Sequence, residues 1–312
     1  MTNILITGGA GFIGSALAEK LIDNNENFVV IIDNLLSGCK EKIPVAKNNN
    51  LKFIKADVNK REEMSEIMTS YNFDYVFHLA AVVGVKRTLK FPVSVLEDLE
   101  GFKNIMDISK NTGVKRIYFS SSSEVYGEPV ELPQNEDTTP LNSKLPYAIV
   151  KNAGEAFLRS YQKEFGLEYT IFRYFNTYGV KQDKNFVISK FISAATANQD
   201  ITIYGDGSQT RTFCHINDNI EACVNTFYNN KFVNDVLNIG NDIEVTILEL
   251  AKMVIKLTGS KSKIIFLPKL KEGDMPRRQP DLVKMRKVFT RKHIELEEGL
   301  KKVINEGLFE LK

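Results

Sequence analysis

Residues 7–14 read Thr-Gly-Gly-Ala-Gly-Phe-Ile-Gly, set between an apolar run at 3–7 and a stretch at 12–22 whose Ile13, Leu17 and Leu21 recur four apart. A strand that passes through glycines straight into an amphipathic helix points to a layered α/β fold. Gly8, Gly11 and Gly14 have a GxxGxxG spacing. The first permits the tight turn, and the second lets a pyrophosphate approach the backbone. The third lets the helix lie close on the strand, with its N-terminal amides toward the phosphates. The turn nominates Gly8, Gly11, Phe12, Ile13 and Gly14 as dinucleotide contacts. Asp33 closes the apolar run 28–33, 19 residues beyond Gly14. An acid there accepts bonds from an adenosine ribose and repels a 2′-phosphate, favouring NAD over NADP. An ordinary strand-end turn in Asp33-Asn34 would also place one there.

The same alternation continues along the chain. Runs at 51–55, 75–79, 116–119 and 168–172 read as strands, and 61–70, 95–109 and 147–165 as helices. Val95, Leu99, Phe102 and Met106 lie on one helical stripe. This is the pattern of a parallel sheet. Beyond residue 180 the elements become shorter: a helix at 187–197, a strand at 201–204, a helix at 217–228 and a strand at 236–239. A helix at 246–257 with Thr246 at its cap position, a loop at 269–280 and a final helix at 300–308 follow. At ~150 residues per domain, 312 residues make about two domains. With no linker between them, the smaller C-terminal part is expected to interleave with the first. The predicted fold is α/β, a doubly wound parallel sheet with a smaller, interleaved C-terminal substrate domain.

Lys+Arg 41 against Asp+Glu 39 leave a formal charge of +2, which gives no electrostatic ground for a nucleic-acid or membrane-surface partner. Arg277, Arg278, Lys261 and Lys263 are the only support for a nucleic-acid module. No apolar run reaches the ~18–20 residues of a membrane helix, and the first residues lack a signal-peptide pattern. A cytoplasmic protein is expected. Three scattered cysteines (Cys39, Cys214, Cys223) and three scattered histidines (His78, His215, His293) make neither a disulfide framework nor a metal-ligand spacing. No metal is expected.

Tyr147 and Lys151 stand four apart at the start of a helix and therefore share one face. A tyrosine is a poor base at neutral pH, and a nearby ammonium favours its phenolate. A half-buried tyrosine beside a solvated lysine would look the same in sequence. The serine run Ser120, Ser121, Ser122 and Ser123, followed by Glu124, lies at the carboxyl end of the fifth strand, the edge where open α/β sheets bind ligands.

Taken in order, these motifs resemble the extended short-chain dehydrogenase/reductases, and among them the NAD-dependent nucleotide-sugar epimerase/dehydratase family. The resemblance runs along nearly the whole chain. It includes the glycine turn, Asp57-Val58, Phe77-His78-Leu79-Ala80-Ala81, Ser122-Ser123-Glu124-Val125-Tyr126-Gly127 and the Tyr147/Lys151 pair. Arg173-Tyr174-Phe175-Asn176-Thr177-Tyr178-Gly179, Tyr204-Gly205-Asp206-Gly207, Arg211-Thr212-Phe213 and Pro276-Arg277-Arg278-Gln279-Pro280-Asp281 complete it.

The resemblance implies a Rossmann-type NAD-binding domain at 1–176, with 217–242 returning to it, and a nucleotide-sugar domain at 177–216 and 243–312. It implies Tyr147 as the base, Lys151 on the nicotinamide ribose and Ser122 on the reacting oxygen, with Glu124 as a further catalytic candidate. Asp33, Asn34, Asp57, Val58, Leu79, Ala80 and Ala81 would line the cofactor. Asn176, Arg211 and Arg278 would meet the diphosphate, where arginine forks suit phosphate oxygens; Val187, Lys190 and Tyr204, with Asn185, would lie near the base. A solvated basic loop is the alternative for Arg277 and Arg278. His78 and Tyr126 are expected to pack. Two helices, at about 94–111 and 147–165, match those that pair between subunits, implying a homodimer or a higher homo-oligomer.

The chain departs from the family pattern at three places. Asp98 stands where an asparagine is usual, and Ser123 where the thymidine-sugar dehydratases carry an acid. Ser-Lys-Leu-Pro precedes Tyr147 where the glucuronate decarboxylases carry arginines. The implied activity is NAD-dependent oxidation of C4 of a nucleotide-diphospho-sugar to a 4-ketone, in surface-polysaccharide precursor synthesis. Either a C4 epimerase or a 4-dehydrogenase, such as the GDP-heptose type, would result. The alternatives are a 4,6-dehydratase using Glu124, a nucleotide-glucuronate decarboxylase, and a non-catalytic NAD(H)-binding regulator.

Overall fold

The computed structural model of the chain describes residues 1–83, 88, 91–269 and 277–308. Six strands form in order along the first half: β1 (Thr2–Thr7), β2 (Asn27–Asp33), β3 (Leu51–Lys55), β4 (Tyr75–His78), β5 (Arg116–Ser122) and β6 (Glu168–Tyr174). Seven more follow: β7 (Thr177–Tyr178), β8 (Ile201–Tyr204), β9 (Thr210–Thr212), β10 (Cys214–His215), β11 (Asp235–Ile239), β12 (Glu244–Thr246) and β13 (Ile264–Leu267). β1–β6 and β11 make one sheet in the order β11-β6-β5-β4-β1-β2-β3, with every neighbouring pair parallel.

Period-two side chains explain why the sheet is covered on both faces. On β1, Leu5 enters one apolar layer, with Val30, Val76, Ile117 and the helices Arg61–Tyr71, Asp98–Ser109 and Pro146–Phe165. Its neighbours Ile4 and Ile6 enter the other, with Ile31, Phe77, Tyr118 and the helices Phe12–Leu21 and Ile216–Tyr228. A third apolar cluster joins the helices Val187–Thr196, Ile247–Thr258 and Leu296–Glu306 to β8. Three two-stranded pairs, β7 with β10, β9 with β12 and β8 with β13, complete the described pairings.

Chain order reverses between β1 and β4. From β1 the chain steps to β2 and β3 on one side; on the other, β4, β5, β6 and β11 follow outward. Such a switch point opens a crevice at the carboxyl ends of the strands.

The expected single helix over 95–109 is two pieces, Pro92–Leu96 and Asp98–Ser109, joined at Glu97. The apolar stripe runs on across this joint, which is why periodicity hid it. The final helix starts at Leu296 rather than 300 and ends at Glu306. Thr246 caps its helix in a full capping box with Glu249. Of the expected loop at 269–280, residues 270–276 lie outside the described residues. Among the described residues, no helix is long and apolar enough to cross a membrane and no acidic, histidine or cysteine group could hold a metal.

Candidate active site

The glycine turn stands at the switch point. Gly8 has φ +68°, and a Cβ there would come 2.7 Å from the Ala80 amide nitrogen in the loop after β4. Thr7 ties that loop down: its Oγ1 accepts from the amides of Leu79 and Ala80, both at 3.1 Å. A Cβ on Gly14 would strike the Gly8 carbonyl oxygen at 2.4 Å, so the helix packs closely only because residue 14 has no side chain. At Gly11, by contrast, an added Cβ meets only the Gly8 oxygen, at 3.0 Å. Residue 11 faces the crevice, and a helix of 10 residues begins just beyond it. Open space before a helix N-terminus is a fit for a pyrophosphate.

Asp33 ends β2 almost fully buried, 8% exposed. Its carboxylate accepts from Ala10 N at 3.1 Å and Leu35 N at 2.8 Å. Burial raises its pKa, while these bonds and the Lys42 charge pull the other way. Asn34 donates to Asp57 at 3.1 Å, and Asn104 holds the Val58 carbonyl at 3.0 Å. The structure thus brings Asp33, Asn34, Asp57 and Val58 together on the far side of the glycine turn from Leu79, Ala80 and Ala81. These residues fit an adenosine-bearing cofactor.

Ser122 is the last residue of β5, and its Oγ accepts from Glu124 N at 3.2 Å, starting a single 3-10 turn, Ser123–Tyr126. Tyr147 and Lys151 lie in the first two turns of the helix Pro146–Phe165, whose Pro146 suits a first-turn position. The Ser122 hydroxyl stands beside the Tyr147 phenol and favours its ionised form. Burial raises the phenol above its ordinary range, and the charges of Glu124 and Asp98 push the same way. The Ser122 hydroxyl and the Arg278 charge pull it down. Lys151 is 1% exposed and donates to the Ser120 carbonyl at 2.7 Å. Burial brings its ammonium down to about 8, against the attraction of Asp98. Asp98 is itself buried; that burial pushes it up to about 6, although it accepts from Val82 N at 2.8 Å. Its position was visible in sequence as a departure; its proximity to Lys151 was not. Ser122, Tyr147 and Lys151 can together pass a proton to and from a hydroxyl in the crevice.

On the other side of the crevice, Asn176 adopts φ +30° and donates to the Thr212 carbonyl at 2.9 Å. Arg211 lies on β9, next to Thr212, and donates to the Thr210 carbonyl at 2.8 Å. Lys190 lies 5.9 Å from the Tyr204 ring, and Val187 opens the same helix. Arg278 is 6% exposed, and its guanidinium reaches the Glu124 carboxylate at 3.5 Å. Arg277 is exposed and pairs in a fork with Glu244 at 2.7 and 3.1 Å. Bonds from Gln134 N to the Gln279 carbonyl (2.7 Å) and from Asp281 N to the Gln134 carbonyl (2.8 Å) fasten this segment. His78 is packed: its Nδ1 meets Thr7 Oγ1 at 2.8 Å, and burial takes it down to about 3. Tyr126 is buried but also bonded, through its hydroxyl, to Arg173 and Asn238. Sequence reasoning quoted Arg173 within its motif but gave it no role, and it missed Glu155, which Arg173 meets; Glu155 lies four residues past Lys151, and that spacing was the signal available.

Residues 4–240 match the model of the NAD dependent epimerase/dehydratase family. The chain belongs to this family. It is an enzyme of the extended short-chain dehydrogenase/reductase type with NAD as its cofactor, among nucleotide-sugar epimerases, decarboxylases and dehydratases. It is 37% identical over 315 residues to a UDP-N-acetyl-α-D-glucosaminuronate decarboxylase from Bacillus cytotoxicus, covering 96% of each chain. Its fold matches the UDP-glucose 4-epimerase of Thermotoga maritima, solved with UDP-glucose, at TM-score 0.91 and 32% identity over 97% of this chain and 98% of that one. The UDP-glucuronic acid 4-epimerase of Bacillus cereus, solved with UDP-glucuronic acid and NAD, matches at 0.88 and 28%, over 98% and 99%.

Proposed function

We propose that this protein is a UDP-sugar 4-epimerase. It removes hydride from C4 of the sugar, holds the 4-ketone, and returns the hydride to the opposite face. The observation that carries this reading is the convergence of Ser122, Tyr147 and Lys151 at the carboxyl end of β5, beside the switch point. Two epimerases of similar fold, both solved with UDP-sugars, support the nucleotide. Elimination of water would need an acid for C6 and a base for C5. Position 123 is a buried serine, and Glu124 faces Arg278.

In this reading NAD⁺, when bound, supplies the hydride acceptor and a positive charge. Tyr147 takes the O4 proton, Ser122 bonds the same oxygen, and Lys151 holds the phenol in reach of its lower protonation state. Residues 1–176 and 217–242 hold the cofactor, while 177–216 and 243–312 hold the substrate. Asn176, Arg211 and Arg278 face the diphosphate; Val187, Lys190 and Tyr204 face the base. The working form is at least a dimer, joined through the helices Pro92–Leu96, Asp98–Ser109 and Pro146–Phe165.

One observation favours a second reading. A buried guanidinium beside Glu124 can hold a sugar carboxylate, and a relative of 37% identity is a uronate decarboxylase. A 4-ketone makes C6 of a uronate a β-keto acid, which loses carbon dioxide and takes a proton at C5. Incubation with UDP-glucose, UDP-N-acetylglucosamine and UDP-glucuronate, followed by NMR, separates these. A C4 epimer with its carboxylate intact supports the first reading. A pentose product favours the second, and a released 4-ketone would mean a dehydrogenase. Unchanged biological output in Tyr147→Phe would instead mean a regulator.

A further inference from the structure

Three residues one helical turn apart meet three consecutive strand residues. On the helix Pro146–Phe165 they are Tyr147, Lys151 and Glu155; on β5 they are Ser120, Ser121 and Ser122. Tyr147 stands beside Ser122, Lys151 Nζ donates to the Ser120 carbonyl at 2.7 Å, and Ser121 Oγ donates to Glu155 Oε1 at 2.7 Å. Only the first two contacts belong to the proposed chemistry. The third lies deeper, where Glu155 is wholly buried and yet ionised. Burial alone would lift its pKa, but Arg173 and Ser121 hold it below the usual range.

Arg173, on β6 and 1% exposed, clasps Glu155 in a fork, Nε to Oε1 at 2.9 Å and Nη2 to Oε2 at 2.7 Å. Arg159, one turn further along the helix, adds a bond to Oε2 at 3.1 Å. The remaining guanidinium nitrogen, Nη1, donates to the Tyr126 hydroxyl at 2.9 Å, which donates in turn to Asn238 at 2.7 Å. Tyr126 closes the 3-10 turn that holds Glu124, and Arg173 precedes Asn176 by three residues. One buried carboxylate is therefore bonded to the helix bearing Tyr147 and Lys151, to the strand bearing Ser122, and through Arg173 to the elements bearing Glu124 and Asn176. Apolar packing would hold these elements together without fixing the helix along its own axis; a fork of two parallel bonds fixes distance and angle together.

We propose that Glu155, gripped by Arg173, is a positioning residue for the oxidation of C4: it sets the height of the Tyr147–Lys151 helix against Ser122. The proposal rests on the function proposed above. Without the grip the helix stays folded on the sheet but slides, and the phenol moves out of register with Ser122.

The test compares NAD⁺-loaded parent enzyme, Glu155→Gln, and the double variant Glu155→Leu/Arg173→Met, which replaces the pair by apolar groups and so avoids stranding a buried charge. Thermal unfolding, kcat and KM for the UDP-sugar turned over, and the pH profile of kcat are read for each. The expected result is a double variant with the parent's Tm and bound NAD, a KM within about threefold, and a kcat lowered about tenfold or more. Its acid limb moves to higher pH, because the phenol has moved away from the Ser122 hydroxyl, which favours its ionised form. A double variant with the parent's kcat and pH profile would overturn the proposal, as would a kcat that recovers in step with Tm. If the parent turns over none of the sugars, the function proposed above fails. Ultraviolet difference titration of Tyr147, measured against Tyr147→Phe in each background, then decides the positioning role. An upward shift on loss of the pair supports it, and an unmoved titration refutes it.

Discussion

Arg278 reaches back from the C-terminal third of the chain to lie 3.5 Å from Glu124, on the turn that follows Ser122. The two have opposite effects on the Tyr147 phenol: the Glu124 charge raises it and the Arg278 charge lowers it. Glu124→Gln should therefore shift the acid limb of the kcat profile to lower pH, and Arg278→Met to higher pH, each by about half a unit to one unit. C4 epimerisation should survive Glu124→Gln with less than about a tenfold loss, whereas elimination of water would not. Limbs that move together in both variants would show that neither charge acts on Tyr147.

Gly11→Val should abolish NAD(H) binding with little effect on folding. An added Cβ meets only the Gly8 oxygen, at 3.0 Å, so the side chain projects into the crevice rather than into packed atoms. Calorimetry should show at least ~100-fold weaker NAD⁺ binding, worth about 2.7 kcal/mol, with Tm near the parent's. Parent-like binding would show that the pyrophosphate lies elsewhere.

Asp98→Asn should stabilise the cofactor-free protein near neutral pH. Asparagine keeps an acceptor for Val82 N, and the substitution removes a charge that burial disfavours. The folded-state value, about 6, lies above the ordinary aspartate value of 3.8. The parent is thus favoured below its unfolded pKa and loses stability as pH rises through about 6. The variant lacks that loss, so it should exceed the parent by roughly 1–3 kcal/mol at about pH 8 and converge with it below about pH 4. Denaturant titrations across that range check it; a gap that is constant with pH would mean the carboxyl does not titrate as buried.

Val93, Leu96 and Ile149 are 70%, 45% and 48% exposed on the helices Pro92–Leu96 and Pro146–Phe165. If these helices pair between subunits, Ile149→Arg should convert a dimer into a monomer. Sedimentation at micromolar concentration checks it, and a parent that is already monomeric would contradict the assignment.

All seven strands of the main sheet were legible in sequence because each carries a short β-branched or aromatic apolar stretch set between turn residues and helical segments. The glycine turn and the Tyr147/Lys151 spacing were legible for the same reason: local geometry sets both. Strands such as Thr177–Tyr178, Thr210–Thr212 and Glu244–Thr246 were not, since two or three residues carry no period and pair only because the tertiary fold presents them. The joint at Glu97 left the apolar stripe in phase. The meetings of Arg278 with Glu124 and of Arg173 with Glu155 join residues 154 and 18 apart; no local pattern encodes them.

The most direct measurement follows UDP-glucose deuterated at C4 with the NAD-loaded enzyme in ordinary water, by NMR. UDP-galactose that keeps its deuterium at C4, formed by the parent and not by Tyr147→Phe, is the predicted result, because the hydride leaves and returns without meeting solvent. Deuterium lost to water, or a C4 epimer formed equally by Tyr147→Phe, would contradict the assignment of Ser122, Tyr147 and Lys151 as the site of C4 oxidation.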